Sequence, residues 1–452
     1  MFKDLIAECT DYDFKENLED NKPKSWLKSV SAFANGIGGR IFFGINDDKE
    51  IIGIDNPKIV IEKISDLIDK FITPKIVFQI NPYEEENKIF LCLSVSQGTS
   101  TPYYYQHEGT KIAFIRQGSS SIECPNYILN ELILKGTGKT YDSLITGYKK
   151  DDFAFSILEN DFYERTGTKF SKEDFISFNL VTKDGYLTNC GVLLADNNNY
   201  RQSRIFCTRW NGLDKVNEQE VQDDKEFSGS IIRQLKLALD FFRTHTNVRW
   251  HKSNEQTIYE PDYSEEAILE ALVNAIIHRN YNNIGAEVVM NIYDDRIEIT
   301  SPGTMASGDS IPRFVDYPFE SMRRNPYIAD VFWRLGYMNR RGSGLAKITA
   351  ATSKLFKDNN NNHVSYQIRN SFFVVTIDNA NYVPQLILDL TERQQSILSY
   401  LKTNNSTITN LSQVFSFDRK TIRNDLEVLK KRNLVKSSGS TSNKIWKINC
   451  DN

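Results

Sequence analysis

The sequence predicts an α+β chain of several domains, and three observations support this fold class. The chain has 452 residues, which is more than one ordinary hydrophobic core accommodates. Hydrophobic residues make up 40% and charged residues 25% of it, as in globular proteins. Helix-like and strand-like patterns alternate up to about residue 380, and three helix patterns and two strand patterns follow them.

Charge is distributed unevenly along the chain. Residues 391–452 contain 11 Lys and Arg against 5 Asp and Glu, a surplus of +6, so the preceding part has a charge of 44 − 54 = −10. A basic unit after an acidic body indicates a local contact with nucleic acid. A solvated basic surface without a partner is an equal alternative from composition alone.

Composition also argues against several classes of protein. No apolar run approaches the roughly 20 residues of a membrane helix, and the acidic N-terminus is unlike a signal peptide, so we expect a cytoplasmic protein without a membrane partner. The five histidines are dispersed, and the six cysteines form no CxxC pair, which argues against a zinc ribbon or a disulfide framework.

The first predicted domain covers residues 1–137 and mixes helices with strands. Helix patterns cover 25–35 and 59–72, and strand patterns cover 41–45, 77–83, 88–95 and 111–118. Between the first helix and the first strand, Gly38 and Gly39 predict a tight connection in which the backbone approaches a partner. The Lys-Ser/Thr of a phosphate-binding P-loop is absent there.

Three separated motifs in this domain resemble the Schlafen-type AlbA_2 domain over roughly the first 130 residues. They are the acidic stretch from Glu8 to Lys15, then SAFANGIGG, then GINDD. The resemblance implies nucleic-acid binding. In Schlafen proteins with ribonuclease activity, three carboxylates form the active site, and the matching residues here are Glu8, Asp13 and Asp47.

Converging carboxylates can hold Mg²⁺ or Mn²⁺, which activates water and neutralises the scissile phosphate. Lys15 would then offset charge in the transition state. Asp13 replaces the more usual Glu. The alternative is that these acids only stabilise turns.

The second predicted domain covers residues 140–380. Its expected elements are helices in 151–164, 171–181 and 230–245, strands in 190–196 and 204–212, and a further α/β stretch in 264–377. The helix in YSEEAILEALVNAIIHRNY, with Ser264 as its N-cap, places Glu270, Asn274 and His278 on one face. Such a carboxylate can activate water, and the amide oxygen can hold Mg²⁺.

Two further motifs follow this helix. Ser301-Pro302-Gly303 ends a strand, and Gly342-x-Gly344 begins a helix, where backbone amides favour phosphate. Four arginines between the motifs could reach phosphates: Arg323, Arg324, Arg340 and Arg341.

The ordered set resembles the GHKL ATPase fold, an α/β sandwich, and most closely its divergent RecG-like branch. The resemblance implies ATP and Mg²⁺ as ligands, Glu270 as general base and Asn274 as Mg²⁺ ligand. The phosphate box would be Gly342, Ser343, Gly344 and Leu345, and the adenine box would contain Ser301 and Gly303, with His278 nearby. Ser301 stands where most of these proteins have Asp, and His278 also replaces an Asp. A scaffold that no longer binds nucleotide is the alternative.

The third predicted domain covers residues 384–452 and has the element order of a winged helix-turn-helix. Its third helix would present basic and polar residues to DNA, with Leu426 and Leu429 facing the core. The expected contacts are Arg419, Lys420, Thr421, Arg423, Asn424, Lys430 and Lys431. Winged helices also bind proteins, so this alternative stays open.

These features predict a nucleotide-responsive nucleic-acid-binding protein, a bacterial transcriptional regulator that forms homo-oligomers. The first alternative is a Schlafen-like, metal-dependent ribonuclease that cleaves tRNA or other RNA in stress or phage defence. The second is a pseudo-ATPase scaffold. Helicase activity is not expected, because the sequence has no Walker A motif.

Overall fold

A computed structural model of the chain describes residues 11–198, 200–215, 221–252, 257–305, 323–338, 344–356, 363–382, 390–432, 434–438 and 444–448. The chain forms two compact units, Met1–Ala380 and Asn381–Asn452. The second unit begins close to residue 384, where the third domain is predicted to start. The boundary predicted between residues 137 and 140 falls within the first unit and stays a prediction.

Residues 11–136 form two four-stranded sheets and three helices. The helices are α1 (Lys24–Asn35), α2 (Pro57–Phe71) and α3 (Asn126–Gly136). The strands are β1 (Tyr12–Lys15), β2 (Gly39–Phe43), β3 (Ile72–Thr73), β4 (Phe78–Glu85), β5 (Lys88–Val95), β6 (Tyr104–His107), β7 (Thr110–Gln117) and β8 (Ser120–Glu123). Their orders are β1-β2-β5-β4 and β3-β6-β7-β8. Both predicted helices and all four predicted strands are confirmed.

Helix α1 is buried on nearly every side because it contacts strands of both sheets. Its apolar residues, such as Trp26 and Phe33, belong to the core of this part. The buried Asn35 amide donates to the carbonyls of Tyr103 (2.9 Å) and Phe114 (3.0 Å). These bonds satisfy a polar group that would otherwise be costly to bury.

The turn from α1 to β2 requires glycine, as predicted. Gly38 has φ +88°, and a Cβ added to it would lie 2.8 Å from the carbonyl oxygen of Val95. A Cβ on Gly39 would lie 2.3 Å from the Phe33 ring. The backbone therefore approaches the protein's own core here, and only glycine leaves the space; the predicted approach to a partner stays a prediction.

Residues 141–378 pack helices against a six-stranded sheet of order β12-β11-β15-β16-β18-β17. The strands are β9 (Ile145–Lys149), β10 (Tyr186–Thr188), β11 (Ile205–Trp210), β12 (Val221–Phe227), β13 (Val248–Lys252), β14 (Thr257–Pro261), β15 (Val288–Ile292), β16 (Arg296–Pro302), β17 (Val364–Arg369) and β18 (Phe372–Asp378). The helices are α4 (Ser156–Thr166), α5 (Lys172–Ser177), α6 (Asn189–Leu194), α7 (Ile231–His245), α8 (Glu265–Ile277), α9 (Pro326–Arg334) and α10 (Gly344–Ser353), beside two 3₁₀ turns, Tyr141–Ser143 and Lys150–Asp152.

The strand predicted over 190–196 is wrong, because this segment is helix α6. Thr188 caps the helix by accepting a hydrogen bond from the Gly191 amide. All six residues are buried, and so short an apolar run has no period that separates a strand from a buried helix. Gly191 also permits close packing, since a Cβ there would lie 2.3 Å from the Leu180 carbonyl oxygen.

The described residues of the second unit form three helices and a three-stranded antiparallel sheet. Its elements are α11 (Glu392–Thr403), α12 (Ile408–Phe415), α13 (Arg419–Lys431), β19 (Ser406–Thr407), β20 (Val435–Ser438) and β21 (Ile445–Ile448). Leu426 and Leu429 are buried in its core, as predicted. In the part of the chain that the structure describes, no helix has the length and apolar composition that a membrane crossing requires.

We predict that Gly38→Ala destabilises the chain more than Gly109→Ala does. Both residues have positive φ, +88° and +80°, but only at Gly38 does a Cβ meet backbone; nothing lies within 4 Å of one at Gly109. Gly109→Ala should cost about 1 kcal/mol of unfolding free energy, and Gly38→Ala roughly 1–3 kcal/mol more. Urea unfolding of both full-length variants measures this difference. Equal losses would contradict the steric explanation.

Candidate functional site

Helix α8 presents a polar stripe on an otherwise apolar helix. The Ser264 hydroxyl accepts a hydrogen bond from the Ala267 amide, which caps the helix as predicted. Eight of its residues are buried. Glu270 and Asn274 are only partly buried, and so is His278, which follows the last helical residue. This polar side of α8 is therefore not covered by the hydrophobic core, and residues of other elements must line the space beside it.

The first residue of α10 meets this stripe. A Cβ added to Gly344 would lie 2.7 Å from Asn274 Nδ2 and 2.9 Å from Glu270 Oε1. The helix face and the end of the predicted phosphate box are thus in direct contact, although they are about 70 residues apart in sequence. Leu345 is buried. Gly342 and Ser343 lie outside the described residues.

Lys347 adds a cation that is not among the residues predicted from the sequence. Its Nζ lies 3.5 Å from Glu270 Oε2, and the side chains are 29% and 13% exposed. Lys347 follows Gly344 by three residues, so it lies one helical turn further along α10. The three-residue spacing between Gly344 and Lys347 is the feature of the sequence that could have indicated this cation.

The predicted adenine box differs from the phosphate end. Ser301 is buried on β16, and its hydroxyl donates to the Ala275 carbonyl (2.7 Å), so it stabilises α8. Gly303 has φ +118°. The carboxylate, carboxamide and helix N-terminus at the phosphate end fit Mg²⁺ and triphosphate. The other end has no acid at position 301 to bind adenine.

Arg324 joins the end of α8 to helix α3. Its guanidinium donates to Glu131 Oε1 (2.8 Å), the His278 carbonyl (2.5 Å) and the Thr304 carbonyl (2.9 Å). Asn280 donates to the other oxygen of Glu131 (2.8 Å). Only 8% of the Arg324 side chain is exposed. We call this contact between residues 131 and 324 the Glu131–Arg324 bridge.

Gly303 leaves room for this bridge. A Cβ on Gly303 would lie 2.7 Å from Arg324 Nη1. The neighbouring Arg323 donates to Asp330 (3.0 Å). Both described arginines of the predicted phosphate-binding group therefore bond to protein groups. Arg340 and Arg341 lie outside the described residues.

The predicted nuclease residues lie at and beyond the first two strands. Asp13 is buried and accepts hydrogen bonds from Lys15 (2.8 Å) and Ser29 (2.7 Å). It pairs with Ile41 on β2, whereas Asp47 is exposed in the turn beyond that strand. Among the described residues, no three His, Cys, Asp or Glu side chains group as a metal site. Glu8 lies outside those residues, so a three-carboxylate site stays a prediction.

The third helix of the second unit, α13, has a basic surface. Asp418 caps it by accepting from the amides of Lys420 (2.8 Å) and Thr421 (3.0 Å). The Thr421 hydroxyl also donates to Asp418 (2.5 Å), so this predicted contact residue helps to hold the cap. The other six predicted contacts are exposed: Arg419, Lys420, Arg423, Asn424, Lys430 and Lys431.

We predict that His278 makes stability depend on pH. Burial, and then the charges of Arg324 and Arg323, lower the pKa of its imidazole from 6.5 to about 4. The folded state thus binds the proton at lower pH than the unfolded state does. The stability contributed by the neutral ring is complete above pH 6.5 and is lost as the pH falls through about 4.

His278→Gln should therefore reduce the loss of unfolding free energy between roughly pH 7 and pH 4 by on the order of 2 kcal/mol. Urea titrations at several pH values measure this loss, with the exposed His107→Gln as the matched control. The same pH dependence in wild type and in both variants would contradict the prediction.

Two family models match separate parts of the chain. Residues 8–125 match the family described as Schlafen, AlbA_2. Residues 285–377 match HATPase_c_4, described as "Putative ATP-dependent DNA helicase recG C-terminal". The second match begins after α8, so Glu270 and Asn274 lie before it. A search of the curated proteins finds no match.

Two solved structures resemble the chain. The DIP2311 protein from Corynebacterium diphtheriae is 16% identical, with a TM-score of 0.46 over 97% of this chain and 92% of that chain. The N-terminal domain of the "Putative ATP-dependent DNA Helicase RecG-related Protein" from Nitrosomonas europaea is 22% identical, with a TM-score of 0.21 over 27% of this chain and 88% of that chain. On the family matches, the chain combines a Schlafen AlbA_2 domain with a RecG-type HATPase_c_4 domain.

Proposed function

We propose that the chain is a nucleotide-responsive nucleic-acid-binding protein that acts as a bacterial transcriptional regulator. The observation that supports this proposal best is the Glu131–Arg324 bridge. It connects α3, which follows the matched AlbA_2 residues, to the end of α8, the helix with the candidate nucleotide-binding face. A change in the nucleotide site would therefore have a bonded route to α3, the last helix of the predicted domain 1–137.

The chemistry of the site fits ATP with Mg²⁺ at the phosphate end. Asn274 would hold Mg²⁺ through its amide oxygen, and the amides at the start of α10 would bind phosphate. Bound Mg²⁺ would offset the negative charge of the phosphate oxygens. Glu270 would accept a proton from the attacking water, with Lys347 beside it.

We predict that Glu270→Gln lowers ATP hydrolysis by about 10²–10⁴-fold, because an amide cannot accept the proton of water. Nucleotide affinity should persist, since Asn274 and α10 are unchanged. Phosphate release and equilibrium binding measure the two effects. The matched control is Glu266→Gln, at an exposed position on the same helix. Hydrolysis at the wild-type rate in Glu270→Gln would contradict its assignment as general base.

Substitutions of Glu131 test whether nucleotide binding is coupled to nucleic-acid binding. We predict that Glu131→Ala removes the effect of ATP and Mg²⁺ on nucleic-acid affinity, while binding of each ligand alone persists. Arg324 keeps its bonds to the two carbonyls in this variant. Glu131→Gln should restore part of the effect, because its amide oxygen can still accept from Arg324.

Fluorescence anisotropy with labelled DNA and RNA, with and without ATP and Mg²⁺, measures this coupling. The control is Asp20→Ala, which breaks the exposed ion pair with Lys63. An unchanged ATP effect in Glu131→Ala would show that the bridge does not transmit it. Wild-type affinity that does not respond to ATP would refute the proposed function itself.

We further propose that residues 384–452 form a DNA-binding winged helix, with α13 as the recognition helix. Removing a Lys or Arg that contacts phosphate lowers the salt dependence of binding by about one counterion. Lys420→Ala and Arg423→Ala should each weaken DNA binding and reduce the salt slope by about 0.9. Anisotropy at several salt concentrations tests this, with the exposed Lys172→Ala as control. Unchanged slopes would favour the protein-binding alternative.

Ribonuclease activity on tRNA stays a separate prediction, tested by incubation with Mn²⁺. Cleavage that disappears in Glu8→Ala and Asp47→Ala would support it, whereas intact tRNA would contradict it. The domain limits 1–137 and 140–380 and the homo-oligomeric state are also proposals. Limited proteolysis and light scattering, respectively, test them.

A further inference from the structure

Strands β13 and β14 form a hairpin that is separate from the six-stranded sheet. Among the described strands they pair only with each other, as a two-stranded antiparallel sheet. All five residues of β13 are exposed. Residues 253–256, between the two strands, lie outside the described residues. A two-stranded ribbon with so little burial has no hydrophobic core of its own, so its large apolar side chains need another explanation.

Two aromatic side chains are neighbours on one face of this hairpin. Trp250 lies directly opposite Tyr259 in the register, and the two residues are 63% and 67% exposed. Opposite residues of an antiparallel pair have Cβ atoms about 5 Å apart, so both rings belong to one small surface. Aromatic rings contribute most when they are buried, and a neighbouring exposed pair therefore indicates a ligand that covers it.

The same face has a cation and, among its described residues, no acid. Side chains alternate along a strand, so the register places six residues on what we call the aromatic face: Val248, Trp250, Lys252, Thr257, Tyr259 and Pro261. Lys252 is exposed. Glu260 lies on the other face, opposite Arg249, and its Oε2 is 4.0 Å from His251 Nδ1. The aromatic face therefore favours a ligand with negative charge.

The size of the aromatic face favours nucleic acid over a second copy of the chain. Five residues of antiparallel strand are about 17 Å long and two strands are roughly 10 Å wide, so the face offers on the order of 200 Å². Stable protein interfaces bury about 800 Å² on each partner. The face is too small for such an interface, whereas its two rings match two successive bases of a strand, with one base on each ring.

We propose that the aromatic face binds single-stranded nucleic acid. One base stacks on Trp250 and the next on Tyr259, and Lys252 contacts the phosphate backbone. Binding tolerates changes of sequence, because every base has a flat surface that can stack. A duplex does not bind there, since its bases are already stacked on each other. The site is additional to α13, and it requires neither ATP nor the Glu131–Arg324 bridge.

Fluorescence anisotropy of the full-length protein with labelled oligo(dT), labelled oligo(U) and a labelled DNA duplex tests this site. We expect Trp250→Ala and Tyr259→Ala each to weaken binding of the single strands by about 5- to 150-fold, and to change duplex binding less than twofold. Tyr163→Ala, at another exposed tyrosine, and His251→Ala, on the other face of the hairpin, are the matched controls. Both controls should change single-strand binding less than twofold. The strand that binds more tightly identifies the ligand as DNA or RNA.

Tryptophan fluorescence separates stacking from a role in folding of the hairpin. A base that stacks on an indole quenches its fluorescence. Trp250→Phe keeps an aromatic ring, so oligo(dT) should still bind, but most of the quenching on binding should disappear. Trp333→Phe, at a second exposed tryptophan, should keep the quenching.

Three results would overturn the proposal. The first is a wild-type protein that binds duplex but no single strand, which would leave the proposed transcriptional regulator intact. The second is single-strand affinity that Trp250→Ala and Tyr259→Ala do not change; a smaller oligomer of Trp250→Ala in light scattering would then identify the face as an interface between copies. The third is full quenching in Trp250→Phe. Conversely, single-strand binding that needs both rings but does not respond to ATP would support this site and refute the nucleotide response.

Discussion

The carbonyl oxygens at the C-terminal end of α8 are the constraint on which the surrounding structure depends. A helix ends with carbonyls that have no partner within it, and at this buried end they need donors from elsewhere. Ser301 donates to the Ala275 carbonyl, Asn325 to the Ile277 carbonyl and Arg324 to the His278 carbonyl. A strand and the segment before α9 are thereby fixed to the helix that contains Glu270. The cation of Arg324 also suits the negative end of the helix dipole.

The Glu131–Arg324 bridge follows from the use of Arg324 as a donor to these carbonyls. An arginine side chain that is 8% exposed needs a counter-ion, because a buried unpaired charge is strongly unfavourable. Glu131 on α3 supplies it, and Asn280 satisfies the second carboxylate oxygen. The same cation lies close to His278 and contributes to the lowered pKa of that imidazole. Displacing the end of α8 relative to α3 would therefore break several polar contacts together. We expect residues 11–136 and residues 141–378 to move together when either part changes its conformation.

Local patterns were sufficient to predict α1, α2, α8 and the glycine turn. The Ser264 cap, the spacing of Glu270 and Asn274, and the two adjacent glycines each determine backbone geometry within a few residues. The strand prediction for the segment of α6 was wrong because all its residues are buried, so its apolar residues show no period that separates a helix from a strand. The partnership of Glu131 with Arg324 joins residues 193 positions apart, and no single-sequence pattern encodes it. The contact of Gly344 with Asn274 was predictable only through the resemblance to an ATPase fold.

The replacement of Asp by Ser in the adenine box has a structural reason in the same constraint. The Ser301 hydroxyl donates to the Ala275 carbonyl at 2.7 Å, whereas a carboxylate there would place two acceptor oxygens together. Ser301 therefore stabilises the end of α8 at the position where an acid would bind adenine. The phosphate end keeps its carboxylate, its carboxamide and its helix N-terminus. At the proposed ATP site, the missing acid would weaken recognition of the base and leave the phosphate contacts in place. We therefore expect the binding energy to come chiefly from the triphosphate and Mg²⁺, and the site to discriminate poorly among nucleoside triphosphates.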